Sequence, residues 1–165
     1  MRAKAGKAAL VVGVQQGDVH HRILAAERGV FHHDAETGFA QDTDAGGVVY
    51  YANYLKFLER ARTEWLRANG IGQSQLKDEQ GVVFAIVSVN ANFLLPARID
   101  DLLFVSCEPS IDGGASILFQ QRIWRERRGE VDGDLLLEAT VRAACLDSGL
   151  FKPRRIPDCV REVLD

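Results

Sequence analysis

Asp44 is the carboxylate best placed to do chemistry. It stands in the run Asp42-Thr43-Asp44-Ala45-Gly46-Gly47, just ahead of a helical pattern that begins between Val48 and Asn53. A helix N-terminus carries unpaired N–H groups and a partial positive charge. Gly46 and Gly47 let backbone approach a ligand closely. A carbonyl oxygen held there could become an oxyanion, and preorganised donors of this kind are usually the largest catalytic term. A carboxylate alongside can act as nucleophile or general base. Thioester cleavage needs both parts. The same residues also fit a simple N-cap or Asx-turn, and caps are far commoner than catalysts.

The helix that must carry this site is clearly written. Tyr51, Tyr54, Leu55, Leu58, Arg62 and Trp65 recur at helical spacing, a stripe that is apolar except at Arg62. Gly70, just after Asn69, supplies its left-handed terminator. Arg60 and Glu64, four apart, are expected to pair on its surface. Beyond Gly81 the period changes to two. Ala85, Val87, Val89, Ala91, Phe93 and Leu95 alternate with Ile86, Ser88, Asn90, Asn92 and Leu94 until Pro96. Further strands are expected over Leu102 to Glu108, Ser116 to Arg125 and Leu135 to Cys145. Asp112-Gly113-Gly114 is a hairpin turn, and Gly129 to Asp134 a polar loop. A short helix is expected from Pro157 to Leu164, and a weak pattern suggests a strand over Glu36 to Gln41. One long helix followed by antiparallel strands is an α+β arrangement.

The bulk properties exclude several classes. The 165 residues fit one domain, and the net charge of −3 gives no basic excess for a nucleic-acid partner. No apolar stretch approaches the ~20 residues that span a bilayer. The three cysteines, Cys107, Cys145 and Cys159, show no metal-ligand spacing, so reduced thiols in the cytoplasm are expected. Neither metal nor cofactor is called for. Residues 1–34 hold all four histidines, His20, His21, His32 and His33, and read as an N-terminal arm without assigned structure. Arg2, Lys4 and Lys7 before the apolar run Ala8 to Val14 resemble a miniature signal peptide, but that run ends without a clear cleavage site.

The run from Asp42 to Tyr54, continuing through Phe57-Leu58-Glu59-Arg60-Ala61-Arg62-Thr63-Glu64-Trp65-Leu66, resembles the signature of the 4-hydroxybenzoyl-CoA thioesterase family. Within that family it is most similar to the bacterial acyl-CoA thioesterases associated with the Tol-Pal system. Pro96-Ala97-Arg98-Ile99-Asp100-Asp101, Gln121-Arg122-Ile123 and Lys152-Pro153-Arg154-Arg155-Ile156-Pro157 are further echoes, so the resemblance covers about residues 41 to 160. It implies a hot-dog domain over 35–165, an antiparallel sheet wrapped around one central helix, with dimers pairing sheets edge to edge and often joining into tetramers. It implies an acyl-CoA substrate bound between protomers and hydrolysed with no cofactor. Asp44 would be the catalytic carboxylate. The backbone near Tyr51 would polarise the thioester carbonyl. Gly47 and Val48 are expected to bind substrate, and Ser88 and Asn90, on one strand face, either approach the site from the second protomer or form an ordinary solvent-facing strand side. Many Tol-Pal-type members have His where this chain has Tyr51, which does not titrate near neutrality.

Other polar groups carry blander readings. Glu59 and Glu64 are expected to pair with arginines, and Asn53 to cap the helix. Arg122, Arg125, Arg127 and Arg128 are either a landing place for CoA phosphates or a solvated strand end. A hydratase is disfavoured, because all four histidines lie outside the matched region. The remaining alternative is an acyl-CoA-binding or scaffold protein of an envelope complex, without catalysis.

Overall fold

The computed structural model describes residues 10–15, 30–34, 47–98, 101–127 and 130–164, with side chains described in 47–98, 101–126 and 133–164. The element order is β1 (Leu10–Gln15), β2 (Val30–Asp34), α1 (Tyr51–Ala68), α2 (Gln73–Gln80), β3 (Val82–Phe93), β4 (Leu103–Asp112), β5 (Ser116–Arg127), β6 (Glu130–Asp147) and α3 (Asp158–Leu164).

α1 forms because Tyr54, Phe57, Leu58, Ala61 and Trp65 fall on one face, and all are buried. The buried stripe is rotated from the one expected: Tyr51 and Leu55 are exposed, while Phe57, Ala61 and Leu66 are covered. The far end of α1 is fully finished. Gly70 adopts φ +76, Ile71 N–H bonds to Leu66 O at 2.9 Å, and the Asn69 side chain donates to Trp65 O at 2.7 Å. α2 was not foreseen, because Leu76 is its only buried residue and one apolar position makes no stripe.

The strands form one sheet in the order β2-β1-β4-β5-β6-β3. β3, β6, β5, β4 and β1 pair antiparallel in turn, whereas β1 and β2 run parallel. The two strands β1 and β2 come from residues 1–34, which had no assignment. The expected strand over Glu36 to Gln41 lies outside the described residues.

Two expectations about the sheet need correction. β6 begins at Glu130, so the polar segment up to Asp134 is paired strand rather than loop; Arg125 stands opposite Asp134 and Arg127 opposite Glu130 across irregular register. In β3 the strict alternation breaks. Phe84 pairs with Cys145 and Ile86 with Ala143, but after a bulge at Val87 it is Val89, Ala91 and Phe93 that oppose Val141, Ala139 and Leu137. Directly paired residues share a face, so Val87 is the extra residue that resets the phase. A bulge leaves no mark in a two-residue period.

α1 packs on the face formed by Leu103, Val105, Ile117, Phe119, Ile123, Leu137 and Val141, all buried with it in one core. Each fully buried Leu or Ile contributes about 1.5–3 kcal/mol. A polar strut crosses this core. Arg62 Nη1 donates to Gln121 Oε1 at 2.8 Å, and Gln121 Nε2 donates to Leu58 O at 3.0 Å. Arg62 also lies 5.9 Å over the Phe119 ring. Burial lowers the Arg62 pKa, yet the strut meets its donors where water cannot. The strut fixes the rotation of α1 on the sheet, and hence where its N-terminus points.

Candidate functional site

The chain enters α1 through a short β-bridge. Val48 pairs antiparallel with Arg98, and Val49 N–H donates to Ala97 O at 2.9 Å. Gly47, just before the bridge, has φ +74; a Cβ there would meet nothing within 4 Å, so the backbone conformation, not space, calls for glycine. Tyr50 precedes the helix with φ −59 and ψ 132 and gives no side-chain cap, and the first turn holds no acidic residue. The positive end of the macrodipole therefore carries no neutralising charge within its own turn.

This end opens on an apolar cavity of about 420 Å³ lined by Val48, Tyr51, Tyr54, Phe93, Leu95 and Pro96 together with their neighbours. Tyr54 is its pillar. Its ring meets Phe93 edge-on at 5.5 Å, and its hydroxyl accepts from Ala97 N–H at 2.7 Å. Burial raises the Tyr54 pKa; the Ala97 bond and Arg125 act the other way. Tyr50 and Tyr51 form a tilted pair with centroids 4.6 Å apart, and the hydrogen bond with Tyr51 is the main cause of a raised Tyr50 pKa.

A latch holds the opposite wall. Arg125 Nη2 donates to Pro96 O at 2.6 Å and Arg125 Nε to Asp101 Oδ2 at 2.8 Å, while Arg98 N–H donates to the same Asp101 oxygen at 2.7 Å. Arg125 also pairs with Asp134, and Arg122 with Glu138 and Glu108. These two members of the arginine cluster are thus engaged within the protein. Arg127's side chain and Arg128 lie outside the described residues.

The structure brings Gly47, Val48 and Tyr51 together at the helix tip. Asp44 lies outside the described residues. Ser88 and Asn90 are elsewhere in the same protomer: they pair with Arg142 and Thr140 on the sheet face away from α1. Asn90 there lines a polar depression of about 230 Å³ with Gln120, Arg122 and Glu138. On the helix, Glu64 pairs with Arg67 rather than Arg60, and Glu59 accepts from Thr63 at 2.9 Å. Asn53 is a buried residue of the first turn, not the residue before it. The cavity walls Tyr54, Phe93, Leu94, Leu95 and Pro96 were not foreseen as site residues. The available signal was the apolar pair Leu94-Leu95 run against Pro96.

Residues 46–131 match the thioesterase superfamily, and the chain belongs to that family. It is 44% identical over 123 residues to an acyl-CoA thioesterase, YbgC, of Haemophilus influenzae, spanning 74% of this chain and 86% of that protein. It is 40% identical over 122 residues to an acyl-CoA thioester hydrolase, YbgC, of Escherichia coli O157:H7, spanning 74% and 87%. Among solved structures, a probable thioesterase from Bartonella henselae is 36% identical with TM-score 0.63, covering 72% of this chain and 92% of its own. A 4-hydroxybenzoyl-CoA thioesterase mutant complexed with 4-hydroxybenzoyl-CoA, 20% identical, shares the fold at TM-score 0.73 over 96% and 99% of the two chains. The fold is the α+β hot dog.

Proposed function

We propose that the protein hydrolyses the thioester of an acyl-CoA to free acid and CoA. The observation that carries this reading is the N-terminus of α1: without a capping bond from the Tyr50 side chain, free of acidic residues in its first turn, and open to an apolar cavity. The acyl group lies in that cavity. The thioester oxygen faces backbone N–H groups at the start of α1, and Gly47 and Val48 shape the approach. Asp44, three residues before Gly47, acts as nucleophile or as general base. By either route the acyl carbon gains a water oxygen, the C–S bond breaks, and the departing thiolate ends as free thiol. Tyr51 lines the acyl site and offers a hydrogen bond; it is not the titrating group.

The curated relatives named as acyl-CoA thioesterases and hydrolases support this reading over a non-catalytic binder. A homodimer or homotetramer is part of the proposal. Among the described residues β3 ends the sheet, and its Ile86, Val87 and Val89 are exposed, as suits pairing with a second copy. A cytoplasmic location is supported by the free thiols Cys107, Cys145 and Cys159. No described helix is long and apolar enough to cross a membrane.

The test is thiol release from a panel of acyl-CoAs. The wild type is expected to release CoA thiol, and Asp44→Asn to lose about 100- to 10,000-fold in kcat while still binding substrate. Full activity in Asp44→Asn, or no thiol from any acyl-CoA with the wild type, would overturn the assignment.

A further inference from the structure

The two ends of the edge strand β3 carry unlike features. At the Phe93 end lies the apolar cavity, open to solvent, with Tyr51 61% and Phe93 51% exposed. At the Val82 end, β3 pairs with Asp147, the last residue of β6, and the chain turns through Ser148–Leu150. This turn presents Leu150 and Phe151, 72% and 67% exposed, the most exposed of the large hydrophobic side chains described.

The tip is built, not loose. Asp147 Oδ1 accepts from Gly149 N–H at 3.0 Å and Leu150 N–H at 2.9 Å. Phe151 N–H donates to Asp147 O, Asp147 N–H to Lys152 O and Ser148 N–H to Gly81 O, each at 2.9 Å. Those two side-chain bonds are the main reason the Asp147 pKa is lowered. Phe151 is the one non-glycine residue with positive φ, +53, among the described residues. Such a conformation costs about 1–3 kcal/mol and persists only where its surroundings enforce it. A single exposed apolar side chain needs no explanation. A clamped pair, with Phe151 strained, held out into water does.

Symmetry connects the two ends. In a twofold dimer joined through β3, each copy offers the same strand, so the strands run antiparallel. β3 has 12 residues, about 40 Å at ~3.3 Å per residue. Pairing about its midpoint sets Val82 of one copy against the partner's Phe93. The tip of one protomer is then brought to the end of β3 at which the other protomer's cavity lies.

We propose that Leu150 and Phe151 complete the acyl site in trans, forming a wall of the partner subunit's cavity against an uncharged acyl chain or ring. The inference rests on the thioesterase reading and on dimerisation through β3. Among the described residues no charged side chain lines the cavity, so an apolar wall continues its chemistry. It explains why an exposed tip is held rigid: a wall that arrives preorganised spends no binding energy on ordering.

The test uses mixed dimers. Leu150→Ser/Phe151→Ser homodimers are expected to melt like the wild type and to lose roughly 10- to 100-fold in kcat/KM through a raised KM, the scale of one or two buried apolar side chains. When that variant is mixed with Asp44→Asn, half the sites in each mixed dimer hold both an intact Asp44 and an intact partner tip. Each mixed dimer should regain about half the wild-type rate. Mixing without recovery, or unchanged kcat/KM in the tip variant, overturns the proposal.

A second readout needs no catalysis. In a Cys159→Ser background, Leu95→Cys/Phe151→Cys should form covalent dimers under mild oxidation, and neither single variant should form that Leu95–Phe151 link. Absence of covalent dimer overturns the placement. Covalent dimer from a protein whose wild type hydrolyses no acyl-CoA would keep the placement and remove the thioesterase reading.

Discussion

The two ends of α1 are finished in opposite ways. At the C-terminus, Gly70 turns left-handed, Ile71 N–H returns to Leu66 O, and the Asn69 side chain takes a further bond to Trp65 O. Arg67 supplies a basic charge in the last turn. At the N-terminus, Tyr50 offers no capping side chain and no acid occupies the first turn. Helices usually gain about 1 kcal/mol from an N-cap. Here the start of α1 borders an apolar cavity. Among the described residues the finishing bonds gather at the C-terminal end, and the other end is the one that can stabilise a developing oxyanion.

This contrast can be broken in graded steps. The largest effect is expected from Asp44→Asn, with kcat down about 100- to 10,000-fold and an unchanged thermal midpoint. Tyr54→Phe comes next. It removes the acceptor of the buried Ala97 N–H, so urea denaturation should show a loss of about 1–3 kcal/mol and kinetics a raised KM, because the Pro96 wall loses its tie to α1. The pH dependence has a definite sign. The Tyr54 pKa is raised in the folded state above the ordinary 10.0, chiefly by burial. Its contribution to stability is therefore full below pH 10 and lost as pH rises through the folded value. Tyr54→Phe should flatten that alkaline limb of a stability profile.

Gly70→Ala acts at the finished end. A non-glycine residue in the left-handed conformation costs about 1–2 kcal/mol, so denaturation should shift while kcat stays put. The smallest change sharpens the comparison most. Ala52→Asp places an acid in the bare first turn of α1 and should stabilise the helix by about 0.3–1 kcal/mol. The same charge opposes an oxyanion, so turnover should fall while the melting temperature rises.

Long, periodic features were legible in the sequence. Tyr54, Leu58 and Trp65 at helical spacing announced α1, and Gly70 its end. Phe57 and Ala61 completed the buried face in place of Tyr51 and Leu55, because the Arg62–Gln121 strut and the bridge at Val48 together hold the helix's rotation and no periodicity encodes that. The β3 bulge at Val87 and the early start of β6 at Glu130 were hidden for a related reason: both depend on a partner strand's register. The start of α1 was legible from Gly46-Gly47 and the turn-forming run around Asp44. The cavity was not, since Tyr54, Phe93 and Pro96 meet only after the sheet has formed. Arg125, read as part of a basic cluster, is a latch on Asp101 and the Pro96 carbonyl, contacts that join residues far apart in the chain.

The central claim is that the start of α1 polarises a thioester carbonyl, and vibrational spectroscopy reads this directly. An acyl-CoA carrying ¹³C at the thioester carbon would be bound to Asp44→Asn and its carbonyl stretch recorded by isotope-edited infrared difference. The account predicts a band at lower frequency than that of the same ligand free in buffer. A bound ligand whose carbonyl band stays at the free position would contradict it.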